Sequence, residues 1–194
     1  MKNNKPKYNQ IIEAAVQVIA ENGYHASQVS KIAKKAGVAD GTIYLYFKNK
    51  EDVLISVFTE KMGQFINRIT ESIEKKGNAS DKLLALIDMH FRQLSEDRYL
   101  AIVTQLELRQ SKAELRLQIN KVLHPYLKVI DQVIEEGMQE GVFPRDLNVR
   151  LVRQMVFGTL DEVVTNWVMK DQKYNLVAQA PDVHALLTKG LSVS

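Results

Sequence analysis

The chain has 194 residues, 45% of them hydrophobic and 25% charged, with a formal net charge of +3 and no cysteine. That is enough for one large domain or two small ones, and it excludes a disulfide framework, a cysteine metal site and a thiol nucleophile. No apolar run nears the roughly 20 residues that cross a bilayer and the N-terminus has no apolar signal core, so no membrane role and a cytoplasmic location are expected.

The charge is unevenly placed. Residues 1–50 hold eight lysines (2, 5, 7, 31, 34, 35, 48 and 50) against Glu13, Glu21 and Asp40, a net +5 that leaves −2 for the remainder. A basic head on a near-neutral body suits a polyanionic partner for the head alone; an ordinary solvated lysine face has the same composition. Tyr8 to Glu21 is amphipathic through Ile11, Ile12, Ala15, Val18 and Ile19 and stops at Asn22-Gly23. Two short helices then meet at a tight turn. Val29, Ile32, Ala33 and Ala36 give the first an apolar face, Gly37 takes the positive φ of the turn, and Asp40 is placed to cap the second. Ile43 and Phe47 point back to the core, which leaves Thr42, Tyr44 and Tyr46 free to face a partner. A helix-turn-helix of this kind offers its second helix to the DNA major groove.

The remaining chain reads as helices. Asn49 is placed to cap a long helix over about 50–76, with Asp52 in its first turn. Gly77-Asn78 ends it, and Ser80 opens the next helix, about 80–94. A further run covers about 97–110, and Ser111 to Glu114 reads as a capping box opening a helix to about Glu140, with Pro125 inside it. Gly141 and Pro144 end that helix, another spans about 148–170, and Pro181 suits the first turn of a last one. No alternating strand pattern or internal repeat is present. The expectation is an all-α protein: a three-helix helix-turn-helix head over 1–48 and a larger helical body over 49–194.

Residues 7–54 resemble the DNA-binding domain of the TetR family of bacterial repressors. The matching features are Glu21-Asn22-Gly23-Tyr24, the spacing Val29, Ile32, Ala33, Ala36-Gly37-Val38, then Gly41 to Phe47, then Asn49-Lys50-Glu51 and Leu54. Ala101 to Ser111 and Phe157 to Val168 resemble, more weakly, the acyl-CoA-responsive regulators of fatty-acid degradation within that family, and Tyr8 to Val16 with Ala39-Asp40-Gly41 resembles its bacillar members. The resemblance implies a homodimeric repressor, joined through its last two helices, that leaves double-stranded operator DNA when long-chain acyl-CoA binds. It implies no cofactor and no enzymatic activity.

Chemistry selects candidates within each part. For DNA these are Ser27, Gln28, Ser30, Gly41, Thr42, Tyr44, Tyr46, Lys48 and Lys50. Lysines, hydroxyls and a helix start supply phosphate contacts, whereas Gly41 and Thr42 could enter the groove. Ser27 reads equally as a cap, and Tyr44 as a half-buried ring. For the effector, Phe65, Phe91, Met155 and Trp167 are candidates to line an acyl chain, and Arg92, Gln105 and Arg109 to meet coenzyme A. Each buried methylene is worth about 0.8 kcal/mol, so chain length should matter. Plain core packing and surface ion pairs are competing roles for the same residues. Val149, Val152, Val156, Leu160, Val163 and Val164, with Val183, Leu186, Leu187 and Leu191, form the apolar stripes of the two dimerisation helices, or else protomer core. His90, His124 and His184 lack metal-ligand spacing, and no phosphate loop, nucleophile elbow or zinc signature is present. A regulator of another hydrophobic effector, and a helical enzyme or acyl carrier, remain open at this point.

Overall fold

The computed structural model describes residues 6–191, the side chain of Leu191 excepted; Lys2 and Lys5 lie outside that range. Every element among the described residues is helical: α1 (Pro6–Asn22), α2 (Val29–Lys35), α3 (Asp40–Tyr44), α4 (Lys50–Glu74), α5 (Ala79–Glu96), α6 (Arg98–Glu107), α7 (Ala113–Glu140), α8 (Val149–Met169), a 3-10 turn (Val177–Gln179) and α9 (Ala180–Leu191). The residues fall into two compact units: Met1–Lys61 with Tyr99–Val122, and Met62–Arg98 with Leu123–Ser194. Helices α4 and α7 therefore each contribute residues to both units. Among the described residues no helix is long and apolar enough to cross a membrane.

In the first unit the apolar face of α1 (Ile11, Ile12, Ala15, Ile19) is buried together with Ile32 and Ala33 of α2, Ile43 of α3 and Leu54 of α4. Small Ala33 lets α2 and α3 approach closely. Gly23 and Gly37 hold φ values of 73° and 65°, the left-handed geometry that glycine enters without steric cost. Tyr8 stacks on Phe47 at 5.3 Å and its hydroxyl donates to Glu60 Oε1 at 3.2 Å. The start of α4 is capped as expected: Asn49 Oδ1 accepts the Asp52 N–H at 2.8 Å, and Asp52 Oδ2 accepts the Lys48 N–H at 2.9 Å. Two local expectations are corrected. Residue Ala39, with no side-chain cap bond, precedes α3, and Asp40 is its first helical residue. That helix ends at Tyr44, so Tyr46, in the turn after it, and Phe47 lie outside it.

In the second unit α5 packs against α8 and α9. Its cap is Asn78, whose side chain accepts the Asp81 N–H, and not Ser80; the Ser80 hydroxyl lies 3.2 Å from His184 of α9. Asn148 caps α8 in the same way through the Leu151 N–H, and Pro181 sits in the first turn of α9 as expected. Helix α7 continues through Pro125 and ends at Gly141, whose φ is 75°. Phe143 then folds back, its N–H donating to the Gly137 carbonyl at 2.9 Å and its ring buried.

Candidate functional site

The head presents a coherent face. A groove lined by His25, Ser27, Gln28, Val29, Ser30, Asp40, Tyr44 and Lys50 runs between the start of α2 and helix α3. Of the nine residues expected to contact DNA, Gln28, Ser30, Gly41, Tyr44 and Lys48 are exposed, and Thr42, Tyr46 and Lys50 are half-buried. Ser27 is a correction. It is 1% exposed, and its hydroxyl donates to the carbonyls of Gly23 at 2.7 Å and Val18 at 3.1 Å. That hydroxyl ties the α1–α2 turn to α1 and is not offered to a phosphate. Lys50 is also engaged: Nζ donates to the His25 carbonyl at 2.9 Å and sits 4.6 Å from the Tyr24 ring centroid. Burial pushes its ammonium below the ordinary lysine range. Sequence reasoning missed Leu45, which is 74% exposed just after α3. An apolar side chain beside a recognition helix suits a thymine methyl or a sugar. Its position in an aromatic-rich run hid it, because such residues read as core.

The α6–α7 turn belongs to this same unit and holds the α1–α2 turn. The buried carboxylate of Glu107 accepts the Tyr24 backbone N–H at 2.8 Å and the Gln110 amide at 2.5 Å. Arg116 donates to the carbonyls of Gln110 at 2.7 Å and Ser111 at 3.0 Å, and Lys112 pairs with Glu51 at 2.8 Å. No periodicity marks Glu107, because its partner is a main-chain N–H 83 residues away in sequence. Gln105, expected at the effector, is buried in this unit, and Arg109 is exposed there; both carry interactions of their own.

In the second unit the effector candidates separate into groups. Phe65 and Phe91 are buried around His90: the Phe65 ring lies 5.2 Å from the imidazole and 5.5 Å from Tyr126, both edge-on, and Phe91 lies 5.9 Å from the imidazole. Phe157 of α8 meets Tyr126 at 6.2 Å. An aromatic cluster drawn from α4, α5, α7 and α8 thus occupies the interior. His90 Nδ1 and the Tyr126 hydroxyl are 2.8 Å apart. Desolvation lowers the His90 pKa to about 3, so the ring is neutral, and burial raises Tyr126, which keeps its proton. Trp167 is buried too, its indole N–H spent on the Tyr174 carbonyl at 2.8 Å. Arg92 is a correction: it is exposed, and its guanidinium forks onto Asp88 of its own helix at 3.1 and 3.2 Å. So is Met155, which is 49% exposed on α8.

The apolar stripe of α8 takes, in part, the second of its two expected roles, with Val149 and Val163 half-buried. Val152, Val156, Leu160 and Val164 are buried in the protomer. The large apolar residues left outward are Leu151, Met155 and Met169 on α8, the first two one turn apart, and Leu186 on α9. Helical periodicity alone cannot tell which of two apolar stripes on one helix meets its own chain. Among the described residues no cluster of acids and histidines could hold a metal ion.

Comparison with known proteins agrees with this layout. Residues 11–57 match the family model for bacterial regulatory proteins of the tetR family, and residues 58–190 match that for the C-terminal region of YsiA-like proteins. The chain is 63% identical over 191 residues to the fatty acid metabolism regulator protein of Bacillus subtilis strain 168, covering 98% of each chain. The structure of the regulator FadR from Bacillus subtilis in complex with stearoyl-CoA superposes with a TM-score of 0.92 at 63% identity, covering 95% of this chain and 99% of that one. The fatty acid degradation regulator FadR from Bacillus halodurans does so with a TM-score of 0.92 at 62% identity, over the same shares. With both parts of the chain matched and a relative of this identity along its whole length, the protein is a member of the TetR family of bacterial transcriptional regulators.

Proposed function

We propose that the protein is a cytoplasmic, homodimeric repressor of fatty-acid degradation genes that long-chain acyl-CoA releases from operator DNA. The observation that carries this reading is the full-length likeness to a regulator crystallised with stearoyl-CoA, in a chain whose own body encloses an aromatic interior. Residues 1–48 act as the DNA-binding head and residues 49–194 as the effector-binding and dimerisation body. The head contacts DNA through Gln28, Ser30, Gly41, Thr42, Tyr44, Tyr46 and Lys48, while Lys50 acts by fixing the α1–α2 turn.

The route from effector to DNA follows from which helices carry residues of both units. An acyl chain among Phe65, Phe91 and Trp167 bears on α4 directly, because Phe65 belongs to it. The other end of α4 is capped by Asn49 beside Lys48 and the turn that follows α3. Helix α7 starts at the turn through which Glu107 holds Tyr24. A shift of either helix therefore changes the support of the recognition helix. A hundredfold loss of operator affinity requires about 2.7 kcal/mol of preference by the ligand for the non-binding arrangement.

A gel-shift titration tests the reading. Stearoyl-CoA should release the operator, coenzyme A alone should not, and unchanged retardation at saturating stearoyl-CoA rejects induction by this class. A second expected result concerns Lys48, which is exposed at the end of the recognition segment. The variant Lys48→Ala should lower affinity for all duplexes about equally and reduce the slope of log K against log salt by about 0.9 per protomer, read by fluorescence anisotropy at several salt concentrations.

A further inference from the structure

Two buried side-chain atoms of the body lack a hydrogen-bond partner among the described residues: Asp131 Oδ1, whose carboxylate is paired through Oδ2 with Arg153, and His90 Nε2, which is set among aromatic rings. Its ring is enclosed edge-on by Phe65 at 5.2 Å and Phe91 at 5.9 Å, and by Tyr126 at 5.7 Å, on helices α4, α5 and α7. A buried polar atom left unpaired costs about 1–3 kcal/mol, which native interiors seldom carry without a use. Phenylalanine would fill much of the same space without that cost. The other nitrogen is already committed, since Nδ1 lies 2.8 Å from the Tyr126 hydroxyl.

We infer that His90 is the polar anchor of the effector site, its Nε2–H donating to the thioester carbonyl oxygen of a bound acyl-CoA. The inference rests on the function proposed above and adds the residue that reads the acyl group. A neutral imidazole has one donor and one acceptor nitrogen. Assigning the Tyr126 hydroxyl as the donor to Nδ1 puts the ring proton on Nε2, which then takes an acceptor. A thioester offers a carbonyl oxygen with lone pairs, whereas the methylenes on its far side suit Phe65 and Phe91. The pair thus fixes how deep the chain sits: the carbonyl stops at His90 and the hydrocarbon goes beyond it. Length discrimination then reflects the room past a fixed point and not a sliding fit.

The test compares two ligands of equal chain length on the full-length protein by isothermal titration calorimetry: stearoyl-CoA and its thioether analogue S-octadecyl-CoA, which lacks the carbonyl oxygen. The wild type should prefer the thioester by about tenfold. His90→Asn, whose short amide keeps the Nδ1 position beside Tyr126 and lacks the Nε2 one, should bind both within about twofold. His90→Gln, whose amide reaches the Nε2 position, should keep most of the preference. Infrared spectra of carbonyl-labelled stearoyl-CoA on the wild type need no variant, and should show the bound carbonyl stretch below its position in hydrocarbon solvent. A wild type that binds both ligands equally, an unshifted carbonyl, or full discrimination by His90→Asn overturns the anchor and leaves the proposed function standing. Failure of the wild type to bind either ligand overturns the proposed function itself.

Discussion

Leu151→Glu combined with Leu186→Glu should turn the protein into a folded monomer that no longer retards operator DNA. Both side chains are large, apolar and outward on α8 and α9, at 54% and 72% exposure. Neither contributes much to the protomer core, so helical circular dichroism and the thermal midpoint should stay close to wild type. In a two-fold interface each substituted residue lies near its own symmetry mate or that of its neighbour, so every added carboxylate is buried close to others of the same sign. Such juxtaposition costs several kcal/mol, enough to dissociate a dimer at micromolar concentration. Loss of pairing should reach DNA binding in full. The recognition helix has five residues, and a single head makes too few contacts to hold a specific site, whereas two heads read half-sites about one helical turn apart. Sedimentation velocity and anisotropy on the same sample check both halves. A variant that stays dimeric, or a monomer with wild-type operator affinity, refutes the assignment of this face.

The reach of sequence reasoning is visible in these residues. Periodicity and punctuation placed the helices well, because Gly23, Gly37, Asn49, Asn148 and Pro181 each carry a local mechanism that works wherever the chain goes. Caps that depend on exact register slipped by a residue or two, as at Asp40 and Ser80, since several residues near a helix start can accept the same N–H. The exposed face of the head was mostly legible because α3 is short and its apolar positions leave the others outward. Ser27 was not, since a serine before a helix gives no sign whether its hydroxyl turns inward to Val18 and Gly23 or outward. The body's interior was less legible still. Phe65 and Phe91 were selected by type and are buried, but so is most of the core, and type alone also chose Arg92 and Met155, which face outward. His90 was weighed only as a metal ligand and Glu107 only as a surface ion-pair partner, because their actual partners, Tyr126 and the Tyr24 N–H, are long-range and no spacing announces them.

Gly137→Ala should destabilise the body although it lies in a helix, where alanine is ordinarily the better residue. The intrinsic gain from replacing glycine mid-helix is about 1 kcal/mol. A β-carbon at Gly137, however, would lie 2.1 and 2.4 Å from two ring carbons of Phe143, well inside contact distance. The ring cannot yield cheaply. It is 1% exposed, and its own backbone N–H is tied to the Gly137 carbonyl at 2.9 Å. Overpacking of this kind costs about 1–3 kcal/mol, and expelling a buried phenylalanine about 3–5 kcal/mol. The steric term therefore wins, by a net of about 2 kcal/mol, equivalent to a fall in Tm of about 4–8 °C for a chain of this length. The sign should reverse once the ring is gone. In a Phe143→Ala background, itself destabilised by about 3 kcal/mol, Gly137→Ala should be neutral or stabilising by up to about 1 kcal/mol. Gly63 in α4, where an added β-carbon meets nothing within 4 Å, supplies the control: Gly63→Ala should not destabilise the protein. Chemical denaturation of the five proteins closes the cycle. Equal effects of Gly137→Ala in the two backgrounds would mean that Phe143 is not what excludes a side chain there. Under the steric account, the turn from α7 toward α8 is specified by one missing methyl group under one ring.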